Sequence, residues 1–245
     1  MHRFMMEPGA GTGELVALNG EESRHALRVL RLSPGDAVEV SDGCGKLFGA
    51  VIESVMGGEV SVRLQGEIAS KEAPVSLTLY QGLPKFDKLE LICQKATELG
   101  AARIVPVKTS RAVVKVSAAD GEKRRERMQK ICAEAAKQCG RAAVPEVLAP
   151  VEFGEALRMM GEEQLMLMPW ELEAGGRRLG DIHKERGAAA RVGIFIGPEG
   201  GIDEKEAARA QGAGAIAVGL GPRILRTETA AIASMALVMQ LWGDI

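Results

Sequence analysis

The chain has 245 residues, 46% of them apolar and 26% charged, with a formal net charge of −2. That balance suits a globular protein with a real core, built as one large α/β domain or as a small domain plus a medium one. It excludes a membrane span, because no run approaches the roughly 18 uninterrupted apolar residues a spanning helix needs. Five Phe, two Trp and one Tyr are too few for a nucleic-acid site built on rows of stacked rings. Cys44, Cys93, Cys132 and Cys139 form no CxxC pair and only three histidines accompany them, so no metal site is expected. The first residues, MHRFMMEPGAGTG, lack the apolar core of a secretion signal, and reduced thiols in a cytoplasm are expected.

The first seventy residues read as mostly β. Apolar runs at 37–40, 47–55 and 59–64 are separated by the turn signals SPGD, SDGCG and MGG. One helix interrupts them, with Asn19 as N-cap and Glu22 placed to complete a capping box. Arg24, Arg28 and Arg31 stand at i, i+4 and i+7 on that helix, so all three point from one side. The stripe is either a solvated face or a phosphate-contacting surface. Glu7 to Gly13 spells E-P-G-A-G-T-G, a match to Rossmann-type methyltransferase loops. No buried strand precedes it and Asn19-Gly20 follows within a few residues, so it reads as a surface turn. The polar stretch 65–74 marks a domain boundary.

Strand and helix then alternate. Strands are predicted at 75–83, 102–107, 164–169, 191–197 and 215–220. Helices are predicted at 85–100, at about 120–139, from Asp203 with Glu206 completing its cap, and over 227–242. The first of these helices turns Phe86, Leu89, Ile92, Ala96 and Leu99 inward. The alternation predicts a largely parallel sheet covered on both faces, with ligands at the carboxyl ends of its strands. Between Asp120 and Arg141, seven basic residues face four acidic ones, a local excess of three positive charges. Lys123, Arg127 and Arg141 are the candidates there for phosphate contact.

Two strand exits carry the chemistry. IGPEGGIDEKE (196–206) ends a strand in glycines before a capped helix, and GLGPRILRTETAAI (219–232) does the same before the last helix. Glycines at strand exits let backbone approach a ligand, and free N–H groups at a helix start favour an anionic group. Either exit alone is a routine βα turn; the pair, with Glu199 and Arg226 embedded, points to a ligand site.

These two segments resemble the signatures of the RsmE family of SPOUT methyltransferases. The HRF start, RHALRVLR with PGD after it, QGLPKFDKLELICQKATELG and AAKQCGRAAVPEV extend the resemblance over almost the full length. Met168-Pro169-Trp170 is a less familiar third loop. The resemblance implies an α/β fold class with an N-terminal PUA-like β-barrel, RNA-binding, at 1–70. It also implies a SPOUT methyltransferase domain at 74–245 with a deep trefoil knot, which no sequence pattern would suggest. It further implies a homodimer, S-adenosyl-L-methionine as cofactor, and 3-methyluridine in small-subunit (16S) ribosomal RNA as product, with rRNA or the 30S subunit as partner.

By position against the family motifs, Gly197, Gly200, Leu220, Gly221, Ile224 and Leu225 wrap the cofactor, joined by Met168, Pro169, Glu199 and Thr227. Uracil N3 is protonated at neutral pH, so its proton must be removed or its anion stabilised. The resemblance gives Glu228 the proton and Arg226 the anion, with Glu228 alternatively a first-turn carboxylate favoured by the helix dipole. Glu199 either faces the cofactor's positive charges or braces its loop. His25 is a packed or solvated residue rather than a catalyst. The apolar last helix, with Ile232, Met235, Leu237, Val238, Leu241 and Trp242, is core or dimer interface. Two rival readings remain: a non-catalytic RNA-binding ribosome-assembly factor, and an enzyme of the same fold with another RNA acceptor.

Overall fold

The computed structural model describes residues 1–114, 116–171 and 176–245. The chain divides into two compact units, one of Met1–Glu72 with Ala136–Val144, the other of Ala73–Ala135 with Pro145–Ile245.

In the first unit, β1 (Arg3–Met5), β2 (Leu15–Ala17), β3 (Ala37–Ser41), β4 (Leu47–Met56) and β5 (Glu59–Ile68) form one sheet in the order β1-β3-β4-β5-β2. The alternation read from the sequence holds: Val38, Val40, Ile52, Val60, Val62 and Leu64 all point into one core with Phe4 and Leu18. The E-P-G-A-G-T-G turn is largely exposed, and Cβ atoms added at Gly9 and Gly13 would meet nothing within 4 Å. It is a surface turn.

The helix expected after Asn19 is shorter than its pattern suggests. Asn19 caps α1 (Gly20–Arg24), its side chain accepting from the N–H groups of Glu21 and Glu22. Glu22 does not close the box; it is buried and pairs with Lys137 at 2.5 Å. From His25 to Val29 the chain widens into a π-helical turn, and Arg31 then takes a left-handed φ of 55°. The arginine stripe therefore follows no single α-helical face, although Arg24, Arg28 and Arg31 are all exposed. His25 lies edge-on to Phe4, with ring centroids 6.4 Å apart.

The segment 136–144 is bonded to this unit by polar groups. Ser41 donates to the carbonyl of Ala142 at 2.6 Å, and Arg3 donates to the carbonyl of Gly140. Glu72 accepts from the Arg141 guanidinium at 2.7 and 2.9 Å and from the N–H groups of Ala142 and Ala143. Arg141, expected to contact phosphate, thus spends its guanidinium on an internal carboxylate, with its side chain 10% exposed.

In the second unit every strand pairing described is parallel. β6 (Ser76–Gly82), β7 (Ala101–Lys108), β8 (Glu146–Val147), β10 (Leu165–Pro169), β11 (Arg191–Ile196) and β12 (Ala215–Val218) run in the order β12-β10-β11-β6-β7-β8, and β9 (Val151–Glu152) adds to β7. Helices α2 (Phe86–Glu98), α3 (Ala118–Cys139), α4 (Phe153–Met160), α5 (Leu179–Arg186) and α6 (Glu204–Gly212) connect them, and α7 (Thr227–Trp242) follows β12. Leu89, Ile92 and Ala96 of α2 are buried as expected, Leu99 is half-buried, and the side chain of Phe86 lies outside the described set. Asp203 caps α6 by accepting from Lys205, whereas Glu206 turns away to accept from the Ser110 N–H at 2.8 Å. Met235, Val238 and Trp242 of α7 are core; Ile232 and Leu241 are half-buried and Leu237 is 39% exposed. Sequence periodicity missed β8, β9, α4 and α5, which are too short to carry a clear period.

Glu72→Ala is expected to destabilise the first unit by about 2–3 kcal/mol, because it strands a largely buried guanidinium and two N–H groups. Urea unfolding followed by a probe in that unit measures it, and an unchanged midpoint would refute the clamp.

Candidate functional site

The carboxyl ends of β10, β11 and β12 open onto a cavity of about 500 Å³, within the roughly 300–1,000 Å³ usual for small-molecule sites. Both glycine exits reach it. Its lining includes Gly197, Glu199 and Gly200 from the first and Leu220, Gly221, Ile224, Leu225, Arg226 and Thr227 from the second. Pro169 and Trp170 close it from the end of β10, and Lys88 from the first turn of α2. Two expected members are elsewhere. Met168 is fully buried, because successive side chains of a strand alternate in direction and Met168 faces the core. Glu228 does not line the cavity; its carboxylate turns to Lys88.

A buried polar junction fixes the two exits to each other. Thr227 Oγ1 donates to the Gly197 carbonyl at 2.6 Å and accepts from Gln81 Nε2 at 2.9 Å. Gln81 is fully buried at the end of β6 and also donates to the Gly82 carbonyl at 2.9 Å. Gly82 has to be glycine: a Cβ there would lie 2.6 Å from Cδ of Pro198. Gly221 holds a φ of 106°, a conformation side chains disfavour. A Cβ on Gly200 would lie 3.1 Å from Cβ and carbonyl oxygen of Arg111, whose guanidinium donates to the Gly200 carbonyl at 3.3 Å. The Gly200 position is therefore tight against Arg111, on the loop after β7.

Three charges meet at one side of the cavity. Lys88 Nζ lies 3.3 Å from Glu199 and 3.3 Å from Glu228. Glu199 also accepts the Lys85 N–H at 3.0 Å. Burial pushes the Glu199 carboxyl up, but the backbone N–H groups and the Lys88 ammonium outweigh it and hold the group below the usual carboxylate range. Desolvation likewise opposes the Lys88 ammonium, and its two carboxylate partners raise it above the usual lysine range. Glu228 Oε2 is buried and makes no well-aligned hydrogen bond, its contact being the Lys88 ammonium at 3.3 Å. The indole Nε1 of Trp170 is also buried without a partner, while that of Trp242 donates to the Gly187 carbonyl at 2.8 Å.

Lys88, Gln81 and Arg111 were not singled out from the sequence, and Trp170 stood there only as the last residue of the third loop. The signal for Gln81 was present: QGL is a third glycine at a strand exit, and it meets the first. Lys88 was hidden because α2 was read by its apolar face. Of the candidate phosphate contacts, Lys123 is exposed and Arg127 pairs with Glu90 at 2.6 Å. No group of three or more potential metal ligands occurs among the described residues, and no helix among them is long and apolar enough to cross a membrane.

An all-parallel sheet with a glycine-lined cavity at its carboxyl ends defines an α/β protein that binds a small ligand against backbone. Residues 71–239 match the RNA methyltransferase domain family and residues 18–65 the RNA methyltransferase PUA domain family. Over 229 residues the chain is 34% identical to the ribosomal RNA small subunit methyltransferase E of Bacillus subtilis, covering 91% of this chain and 88% of that protein. It also resembles the crystal structure of a ribosomal RNA small subunit methyltransferase E from Neisseria gonorrhoeae bound to S-adenosyl methionine. The TM-score is 0.90 and the identity 36%, over 100% of this chain and 99% of that one. A methyltransferase from Legionella pneumophila, solved with the bound cofactor SAM, gives 0.87 and 32%, over 99% and 98%. The chain belongs to the ribosomal RNA small subunit methyltransferase E family: an enzyme with an N-terminal PUA-like domain and a C-terminal methyltransferase domain built on a parallel sheet.

Thr227→Val is expected to cost about 1–3 kcal/mol, because the Gln81 amide and Gly197 carbonyl lose a buried partner without gaining water. A double-mutant cycle with Gln81→Leu should give a coupling of the same sign. Additive losses would show that the junction does not act as a unit.

Proposed function

We propose that the protein transfers a methyl group from S-adenosyl-L-methionine to N3 of a uridine in small-subunit (16S) ribosomal RNA, giving 3-methyluridine. The observation that carries the reading is the convergence of both glycine exits and Arg226 on one cavity, in a chain whose relatives are named for small-subunit rRNA methylation. The residues fit the cofactor. Gly197, Gly200, Leu220, Gly221, Ile224, Leu225, Pro169 and Thr227 would hold it, mostly through backbone. The unpartnered Trp170 N–H offers a donor, and Ile196 and Ile202 supply apolar wall. The bound cofactor supplies an electrophilic methyl group on a sulfonium, and the protein's work is alignment and activation of the acceptor.

Activation needs a proton acceptor and a cation. Of the two carboxylates on Lys88, Glu199 is further held by the Lys85 N–H, which suits it to bracing the loop. Glu228 makes no hydrogen bond to main chain among the described residues and faces the Lys88 ammonium with its buried Oε2, which leaves its other oxygen to receive the N3 proton. Arg226 is exposed on the cavity wall and would stabilise uracil charge at O2 or O4. In this reading residues 1–70 are an RNA-binding domain using Arg24, Arg28 and Arg31, with Lys123 and Arg127 contributing from α3. Residues 74–245 are the SPOUT domain, its carboxyl-terminal segment threaded as a trefoil knot. The protein works as a cytoplasmic homodimer on rRNA or the 30S subunit, with Leu237 on the apolar face offered to the partner.

Calorimetry is expected to show one S-adenosyl-L-methionine bound per chain without added metal. Nucleoside mass spectrometry of 16S rRNA from a deletion strain, treated with enzyme and cofactor, should show new 3-methyluridine. Binding without any methylated nucleoside would overturn the reading in favour of an assembly factor, and another methylated nucleoside would reassign the acceptor.

Arg24→Ala with Arg28→Ala should flatten the salt dependence of RNA affinity by about 0.7–0.9 in log–log slope per lost contact, with cofactor affinity unchanged. Arg226→Ala should give near-normal RNA affinity and a large loss of turnover, since its work is done only as charge develops. An unchanged salt slope would return the arginines to a solvated surface, and unchanged turnover would remove Arg226 from the chemistry.

A further inference from the structure

Lys88 lies on the first turn of α2, outside both glycine segments, yet its side chain forms part of the cavity wall. Its ammonium is shared by Glu199 and Glu228 at 3.3 Å each. Both contacts are longer than the roughly 2.7–2.9 Å of a well-formed charge-assisted hydrogen bond. A cation held by two loose contacts keeps a donor free for a third partner. All three side chains are largely withdrawn from water, with 23% exposure for Lys88 and Glu199 and 15% for Glu228. Electrostatic effects at such a site exceed those in bulk water.

We propose that Lys88 is a catalytic residue that stabilises the uracil anion through an exocyclic oxygen, with Glu199 and Glu228 holding its ammonium at the cavity wall. This rests on the uridine-N3 reading above. The step balances. The N3–H bond breaks and its proton passes to a Glu228 oxygen. The N3 electron pair, delocalised over O2 and O4 and opposed by Lys88, then forms the N–C bond as the methyl's S–C bond breaks. When Glu228 becomes neutral, Lys88 loses one of its two counter-charges while Glu199 still anchors it. Its charge is therefore least neutralised at the moment the uracil carries its own. Lys88 is unsuited to be the base, because its carboxylate partners favour the protonated form.

The experiment compares wild type with Lys88→Met, Lys88→Arg and the control Lys95→Met, whose ammonium pairs with Glu98 on the far part of α2. Lys88→Met should lower kcat by about 10²–10³-fold, as loss of one anion-stabilising donor does elsewhere. Its S-adenosyl-L-methionine affinity by calorimetry should stay within about 3-fold, which also shows that the variant is folded. Lys88→Arg should recover part of kcat, and Lys95→Met should match wild type. The decisive arm replaces uridine with 5-fluorouridine in the RNA. Its imide is more acidic and needs less help, so the Lys88→Met deficit should shrink. A deficit equal on both RNAs, or a lost cofactor affinity with normal kcat, would overturn the proposal and leave Lys88 a structural residue. Absence of 3-methyluridine with the wild-type enzyme would instead overturn the uridine-N3 reading itself.

Discussion

Much of the second unit's chemistry depends on one buried hydroxyl. Thr227 Oγ1 is the meeting point of the β6 end, the β11 exit and the α7 start, donating to one and accepting from another. A hydroxyl both donates and accepts, so it joins the Gly197 carbonyl to the Gln81 side-chain amide, which by itself reaches that carbonyl only at 3.4 Å. Gly82 makes the junction possible from the other side by admitting Pro198 where a Cβ would stand. The cavity is shaped by backbone that this junction holds still. A ligand gripped chiefly by main chain gains from rigid walls, since it does not have to order them on arrival.

The sequence disclosed the second unit well, because its long elements carry unambiguous periods. Strands β6, β7, β10, β11 and β12 and helices α2, α3, α6 and α7 lie within a few residues of their expected positions. The glycine exits were legible for a related reason: glycine between a buried strand and a helix has few other uses. What stayed hidden was set by tertiary pairing. Glu22 and Glu206 both stand at capping-box positions, yet each serves a partner far along the chain, Lys137 for one and the Ser110 N–H for the other. Local spacing offers a carboxylate an opportunity, and burial decides which one it takes. The arginine stripe misled by a different route. A helical wheel assumes 3.6 residues per turn throughout, and the π-helical turn at His25–Val29 breaks that assumption.

The carboxylates around Lys88 illustrate how chemically identical groups are told apart by their neighbours. Glu199 is satisfied by main chain and Glu228 is not. Composition and spacing treat them as two glutamates near two glycine loops. The difference between them lies in one N–H group, supplied to Glu199 by Lys85 at the start of α2.

The return of residues 136–144 to the first unit has a bearing on how the protein is made. During synthesis the amino-terminal strands emerge well before Ala142 does, so Ser41 and Glu72 wait with their polar groups unanswered while more than half of the second unit's chain is still to come. Most two-domain proteins fold their first domain vectorially, as it leaves the ribosome. Here the first unit is completed only after the chain has left it, built β6, α2, β7 and most of α3, and come back. A fragment ending at Glu72 accordingly keeps all five strands but lacks the segment that answers Ser41 and Glu72, and the two units are not separated by a single cut.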